Sequence, residues 1–188
     1  MQNFNPLQKQ IIVISFFFLL FYSCKQPSKG IDKKIFIGDW SFSEHFSYDE
    51  LKLLPDFKDG LNGLKDAEMT LVGKVEYHTN AQYNLNGEMA FRITDAESGR
   101  EITMKFRIRE AGKWAITDST LTETTEDGEV VPADEFTQNL AAEDPAMLKE
   151  IRPVKGETVS EKILVATTSL IEMQDRATRV KMTLRKNK

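Results

Sequence analysis

The sequence predicts an all-β fold, an antiparallel up-and-down barrel of about eight strands with a small helical insert near 133–152. Three observations carry this expectation. Three successive runs alternate apolar and polar residues, turn signals separate them, and the strongest helix start, Asp144-Pro145, comes late in the chain. Alternation with a period of two puts one face of a strand in a core and the other in water, as antiparallel sheets require.

The first strand candidate runs from Ile35 to Phe42. A loop-rich stretch, 43–65, follows, carrying Pro55, Asp59-Gly60 and Asn62-Gly63, with a short helical segment within Tyr48 to Leu54. Met69, Leu71, Gly73, Val75 and Tyr77 then alternate with Thr70, Val72, Lys74 and Glu76. Beyond a turn near Asn80, Tyr83 to Thr94 continues the pattern, with Met89, Phe91 and Ile93 set against Glu88, Ala90 and Arg92. After Glu97-Ser98-Gly99, Ile102, Met104, Phe106 and Ile108 alternate with Thr103, Lys105, Arg107 and Arg109. Ala111-Gly112 reads as a tight turn into a short strand at 114–116. Another strand covers 120–125, and Asp127-Gly128 closes the region.

Asp144-Pro145 supplies an N-cap and a first-turn proline. Met147, Leu148 and Ile151 form the apolar face of that helix, Pro153 ends it, and Phe136 and Leu140 mark a preceding helix from about Ala133. Ile163 to Met173 and Arg179 to Arg185 read as two closing strands joined across Asp175-Arg176. Closure into a barrel is the physically sensible arrangement, because it removes exposed sheet edges.

A length of 188 residues suits a single domain. With 40% hydrophobic residues, including 12 Phe, the chain can build a core, which excludes wholesale disorder. The net charge is −4, and loss of residues 1–23, which hold Lys9 and no acid, makes it −5. An acidic balance excludes a generic nucleic-acid binder, since phosphate contact calls for a basic patch.

The N-terminus has its own logic. Ile11 to Tyr22 is apolar apart from Ser15. Twelve helical residues rise about 18 Å, short of the roughly 30 Å hydrocarbon core, so the segment reads as a signal-peptide core and not a span. It ends in Phe21-Tyr22-Ser23-Cys24, ahead of the polar Lys25-Gln26-Pro27-Ser28-Lys29. Cys24 is the chain's one cysteine, which excludes a disulfide framework. The segment resembles the lipobox of bacterial lipoproteins, in the relaxed form found in the Bacteroidota. That resemblance implies a signal peptide at 1–23, diacylation of Cys24, a lipidated tether at 24–34 and a domain at 35–188. It implies a membrane partner through the acyl anchor, each buried methylene contributing about 0.8 kcal/mol. Lys25 to Lys34 holds four lysines and one acid, Asp32. By the same resemblance this points to the outer membrane with the domain facing the periplasm.

Gly38-Asp39-Trp40 heads the first strand. It resembles the Gly-x-Trp signature of lipocalins and lipocalin-like barrels. The resemblance implies that Trp40 plugs the closed end and that a basic residue of the last strand, Arg185 or in second place Arg179, packs across its ring. The long loop after the first strand would lid the open end. The helical insert precedes the last two strands, whereas lipocalins carry their helix after the barrel. The chain is therefore similar to small lipocalin-like lipoproteins, the other reading of Trp40 being a core residue of an open sheet.

Candidate chemistry is sparse. Glu76 and His78 share a strand face, but a zinc site needs three or four ligands, so no metal is expected. Ser43, His45 and Asp49 cluster in sequence, yet no Gly-x-Ser-x-Gly elbow accompanies them, and Gly-rich phosphate loops are missing too. Neither catalysis nor a cofactor is expected. Lys105, Arg107 and Arg109, like Arg179, Lys181 and Arg185, form basic rows that read as solvated faces neutralised by acids such as Glu88, Glu101 and Glu123. The inward apolar set is either packed core or the lining of a ligand site. Met69, Leu71, Tyr77, Phe91 and Phe106 are its candidate ligand-binding residues.

The expected function is a non-enzymatic envelope lipoprotein binding a small hydrophobic or amphipathic ligand in the barrel mouth. The alternative is a protein-interaction module, an inhibitor or assembly factor, using the 43–65 loop or the 133–152 insert. An exposed patch on Phe46, Leu53, Leu54 and Phe57 would favour the alternative. Cys24→Ser is expected to abolish acylation, checked by metabolic palmitate labelling; undiminished label on the variant would refute the lipobox.

Overall fold

The computed structural model describes residues 30–54, 61 and 63–187. The expected signal peptide, Cys24, most of the tether and Phe57 lie outside the described residues.

Eight strands form a closed barrel in which each pairs antiparallel with the next. They are β1 (Gly38–Phe46), β2 (Leu64–Tyr77), β3 (Gln82–Asp95), β4 (Glu101–Thr117), β5 (Thr120–Pro132), β6 (Thr158–Ala166), β7 (Leu170–Asp175) and β8 (Lys181–Lys186). β8 returns to β1 through Trp40↔Lys186, Ser41↔Arg185 and Phe42↔Leu184. Short helices α1 (Tyr48–Leu51), α2 (Glu135–Glu143) and α3 (Pro145–Glu150) complete the unit. The up-and-down barrel and the late helical insert agree with the sequence-based expectation. Asp134 and Asp144 cap the two insert helices through their side chains, accepting from the Thr137 and Ala146 amides.

Several boundaries differ, each for a local reason. β1 begins at Gly38 and not Ile35, because Asp32 accepts the Lys34 amide and tightens Lys33–Ile35 into a 3-10 turn. Gly38 then redirects the chain with a φ of +106°, open to glycine and strained for other residues. Ala111-Gly112 is not a turn but continuous strand within β4, opposite a bulge in β5 where Glu126 is left without a partner between Thr125 and Asp127. A Cβ at Gly112 would collide with the Thr124 carbonyl oxygen, so this close approach needs glycine. Asp127-Gly128 likewise sits within β5, opposite Ala111 and Glu110. The stretch 163–173 is two strands, not one. Thr167 breaks it, its amide donating to the Leu170 carbonyl at 2.8 Å and its hydroxyl accepting from the Leu170 amide at 2.9 Å.

Two apolar clusters fill the two ends. At the end where β1 begins, Trp40, Phe36, Val75, Tyr77, Tyr83, Trp114 and their neighbours pack together. Trp40 is wholly buried and its indole N–H donates to the Phe36 carbonyl at 2.6 Å. The cation over its ring is Lys186, 4.5 Å from the centroid, and not Arg185. Register explains the one-residue difference. Lys186 is opposite Trp40, whereas Arg185 lies opposite Ser41 and is exposed. Arg179 is further off still, in the turn between β7 and β8. Lys186 also donates to the Ile37 carbonyl at 2.6 Å, so its charge is met on two sides.

At the opposite end, which we call the mouth, Phe46, Leu51, Met69, Met89, Met104, Phe106 and Val130 cluster, with Leu140, Met147 and Leu148 from the insert laid against them. β6, β7 and β8 are short, at 9, 6 and 6 residues, whereas β2 to β5 run to 14, 14, 17 and 13. The upper parts of β1 and β5 therefore extend past their pairing with β8 and β6. Trp40→Ala is expected to lower stability by about 3–5 kcal/mol, as large aromatic truncations in cores do. Denaturant unfolding checks this, and an unchanged midpoint would show that the indole does not hold the plugged end.

Candidate functional site

A layer of carboxylates faces the barrel interior between the two clusters. Glu44 continues the inward series Trp40, Phe42, Glu44, Phe46 on β1. Glu110 sits opposite inward Leu85 on β3, and Glu123 opposite inward Trp114 on β4. Glu161 pairs with both Leu121 and Asp175, which brings it and Asp175 onto the same face.

Most of these acids have donors. The Thr183 amide donates to Glu44 at 2.7 Å. Tyr77, from the plugged end, donates its hydroxyl to Glu123 at 2.9 Å. Tyr83 and Thr125 both donate to Glu110, the latter at 2.7 Å. Asp175 accepts from the Ala177 and Thr178 amides in its own turn. Glu161 is the exception. It is 5% exposed, and its Oε2 is buried without a hydrogen-bond partner.

Burial disfavours the charged form of an acid, and like charges nearby add to the effect. Glu123 is pushed up to about 7, chiefly by burial, with Tyr77's hydrogen bond pulling the other way. Glu161 rises to about 8, first by burial and then by the charges of Glu123, Asp175 and Glu44. Glu44 is raised as well, again by burial. Tyr77 and Tyr83 are held well above their ordinary values, so both remain hydrogen-bond donors at neutral pH.

The candidate ligand-binding residues divide between the two clusters. Met69 and Phe106 are buried in the mouth cluster, with Phe91 packed against it. Leu71 borders both clusters. Tyr77 belongs to the plugged end, and only its hydroxyl reaches the carboxylate layer. Ser43 and His45 are exposed on the outer face of β1, flanking inward Glu44. His78 lies 3.5 Å from Glu76 and 2.8 Å from the Asn84 amide, at the plugged end. Among the described residues no three His, Cys, Asp or Glu side chains are grouped to hold a metal. Arg109 pairs with Glu129 at 3.3 Å on the outer wall. Outer grooves of about 480 Å³ run beside it, and their linings share no residue with the candidate set.

The inward acids carried a readable signal, since each stands two residues from an inward apolar one: Glu44 from Phe42, Glu110 from Ile108, Glu123 from Leu121, Glu161 from Ile163. Glu123, taken from sequence as an outer acid, points inward, because β5 counts its parity from buried Leu121. No known protein family matches the chain, and no curated protein does either.

The raised acids give stability a definite pH dependence. A carboxyl with a higher pKa folded than unfolded binds more protons in the native state, so its contribution is lost as pH rises. For Glu161 the window runs from its ordinary 4.5 to about 8. Facing it there are Glu44 on β1, Tyr77 on β2, Glu123 on β5 and Asp175 on β7. Glu161→Gln is expected to match the parent near pH 4.5 and to become progressively more stable than it up to pH 8. Urea midpoints across that range check this, and a constant difference would place Glu161 in water.

Proposed function

We propose that the chain is a lipid-anchored protein of the bacterial cell envelope, similar to the lipocalin-like lipoproteins, whose barrel holds a small amphipathic molecule without transforming it. The observation that carries this reading is the middle layer, where the inward carboxylates Glu44, Glu123 and Glu161 stand between the two apolar clusters and Glu161 keeps a buried oxygen without a hydrogen-bond partner.

Above Phe42, β1 has no backbone ladder to β8, whereas on β5 the Thr125 backbone still bonds Gly156 and Glu157 beyond the last β6 pair. The layer sets apolar Leu71 beside carboxylates, a pairing that suits a molecule with one apolar and one polar part. Anchoring at Cys24 and an outer-membrane, periplasm-facing location remain part of the proposal, supported by the apolar 11–22 core and the lysines of 25–34.

A second reading, a protein-interaction module, draws support from Leu53 and Phe136, which are 58% and 45% exposed beside the mouth. Phe46 does not join such a patch, being 8% exposed. Native mass spectrometry of the chain extracted from its own envelope separates the two. An adduct of lipid or metabolite size, lost on denaturation, is the expected result. A bare mass together with a stoichiometric protein partner would overturn the ligand reading.

A further inference from the structure

We infer that the polar end of the bound molecule is a cation, a protonated amine or a guanidinium, seated between Glu161 and Glu123. This rests on the reading of the barrel as a ligand binder and adds the charge of the ligand to it. The argument begins from an imbalance. Glu44, Glu110, Glu123, Glu161 and Asp175 face inward from five strands and act on one another electrostatically. Every ion pair among the described residues lies elsewhere, and none includes any of the five. The inward lysine, Lys186, is committed to Trp40 and the Ile37 carbonyl at the plugged end.

Within that layer, donors have been supplied to some acids and withheld from one. Tyr77 serves Glu123, Tyr83 and Thr125 serve Glu110, and the Thr183 amide serves Glu44. Glu161 receives nothing at Oε2, although it is 5% exposed. A buried carboxyl oxygen without a partner is costly to leave in place, and native structures rarely do so without a reason. The charges acting on it, from Glu123, Asp175 and Glu44, are all negative. A neutral donor would satisfy one lone pair but would not let Glu161 ionise among these charges. An ammonium brings three donors and a positive charge, and a guanidinium brings a planar fork, so either answers both needs. A metal ion is disfavoured because no three of these groups converge.

Binding of a cation must also displace the proton that Glu161 carries at neutral pH, so affinity rises with pH. The titratable groups lining the layer from the other strands are Glu44, Tyr77, Tyr83, Glu110, Glu123 and Asp175. Both tyrosines stay protonated throughout that range.

The test titrates the full-length protein with three probes of equal length, hexylammonium, hexanol and hexanoate, followed by tryptophan fluorescence and by carboxyl carbon NMR. Hexylammonium is expected to bind about tenfold or more tighter than the other two, the ratio that about 1.4 kcal/mol of differential contact gives. Glu161→Gln should erase that preference and its pH dependence while leaving hexanol binding unchanged, and Glu123→Gln should reduce it. Equal binding of all three probes, unaffected by Glu161→Gln, would overturn the cationic assignment and leave the reading of an amphipathic ligand standing. No binding of any probe at millimolar concentration would overturn both.

Discussion

The barrel depends on one indole. Trp40 brings together three parts of the chain that are otherwise weakly joined: the entering 3-10 turn through the Phe36 carbonyl, β1 through its own backbone, and β8 through Lys186 over the ring. Only three residue pairs zip β1 to β8. A ladder that short holds poorly by itself, so the packing around the indole secures the closure. The aromatic neighbourhood extends outward from there, with Phe36 stacked on Trp114 at 6.1 Å and Tyr77 edge-on to Trp114 at 5.2 Å. These geometries are the ones aromatic quadrupoles favour. They order the floor of the barrel and fix where the Tyr77 hydroxyl points.

Above that floor the physics changes sign. The apolar ends gain by excluding water, whereas the carboxylate layer between them loses by the same exclusion. A sequence under selection for stability alone would place Leu or Val at Glu161, since a well-packed apolar residue does at least as well as a buried acid. Departures of this kind from local consistency tend to mark sites of function.

Much of this architecture was legible before any coordinates. The runs at 69–77, 83–94 and 102–109 gave strand identity and facing directly, because period-two patterning is a local property. The capped helix at Asp144-Pro145 was equally local. Ala111-Gly112 and Asp127-Gly128 misled because the same dipeptides serve turns and continuous strands. Which one forms is decided by whether a partner strand continues alongside, and that information is not in the dipeptide. Parity was the second difficulty. Glu123 shares the parity of buried Leu121, whereas the bulge at Glu126 shifts the inward count only beyond Thr125. A one-residue register choice at the seam selects Lys186 over Arg185. The split of 163–173 into two strands rests on Thr167 alone, a residue that strands otherwise favour.

The uneven strand lengths bear on how the molecule assembles and where it yields. The β2 to β5 meander joins sequence neighbours through hairpins, so most of its ladder closes at little entropic expense. The seam joins segments 144 residues apart and must wait for everything between. It is therefore the last line to zip and the first to part. Just past its final backbone pair, the Glu44 side chain reaches across to the Thr183 amide, taking the place a strand carbonyl would hold in a longer ladder. A carbonyl has one state at every pH, but a carboxyl has two. The weakest join in the wall thus ends on a rung whose strength as an acceptor varies with acidity, beside the layer where charge is hardest to bury.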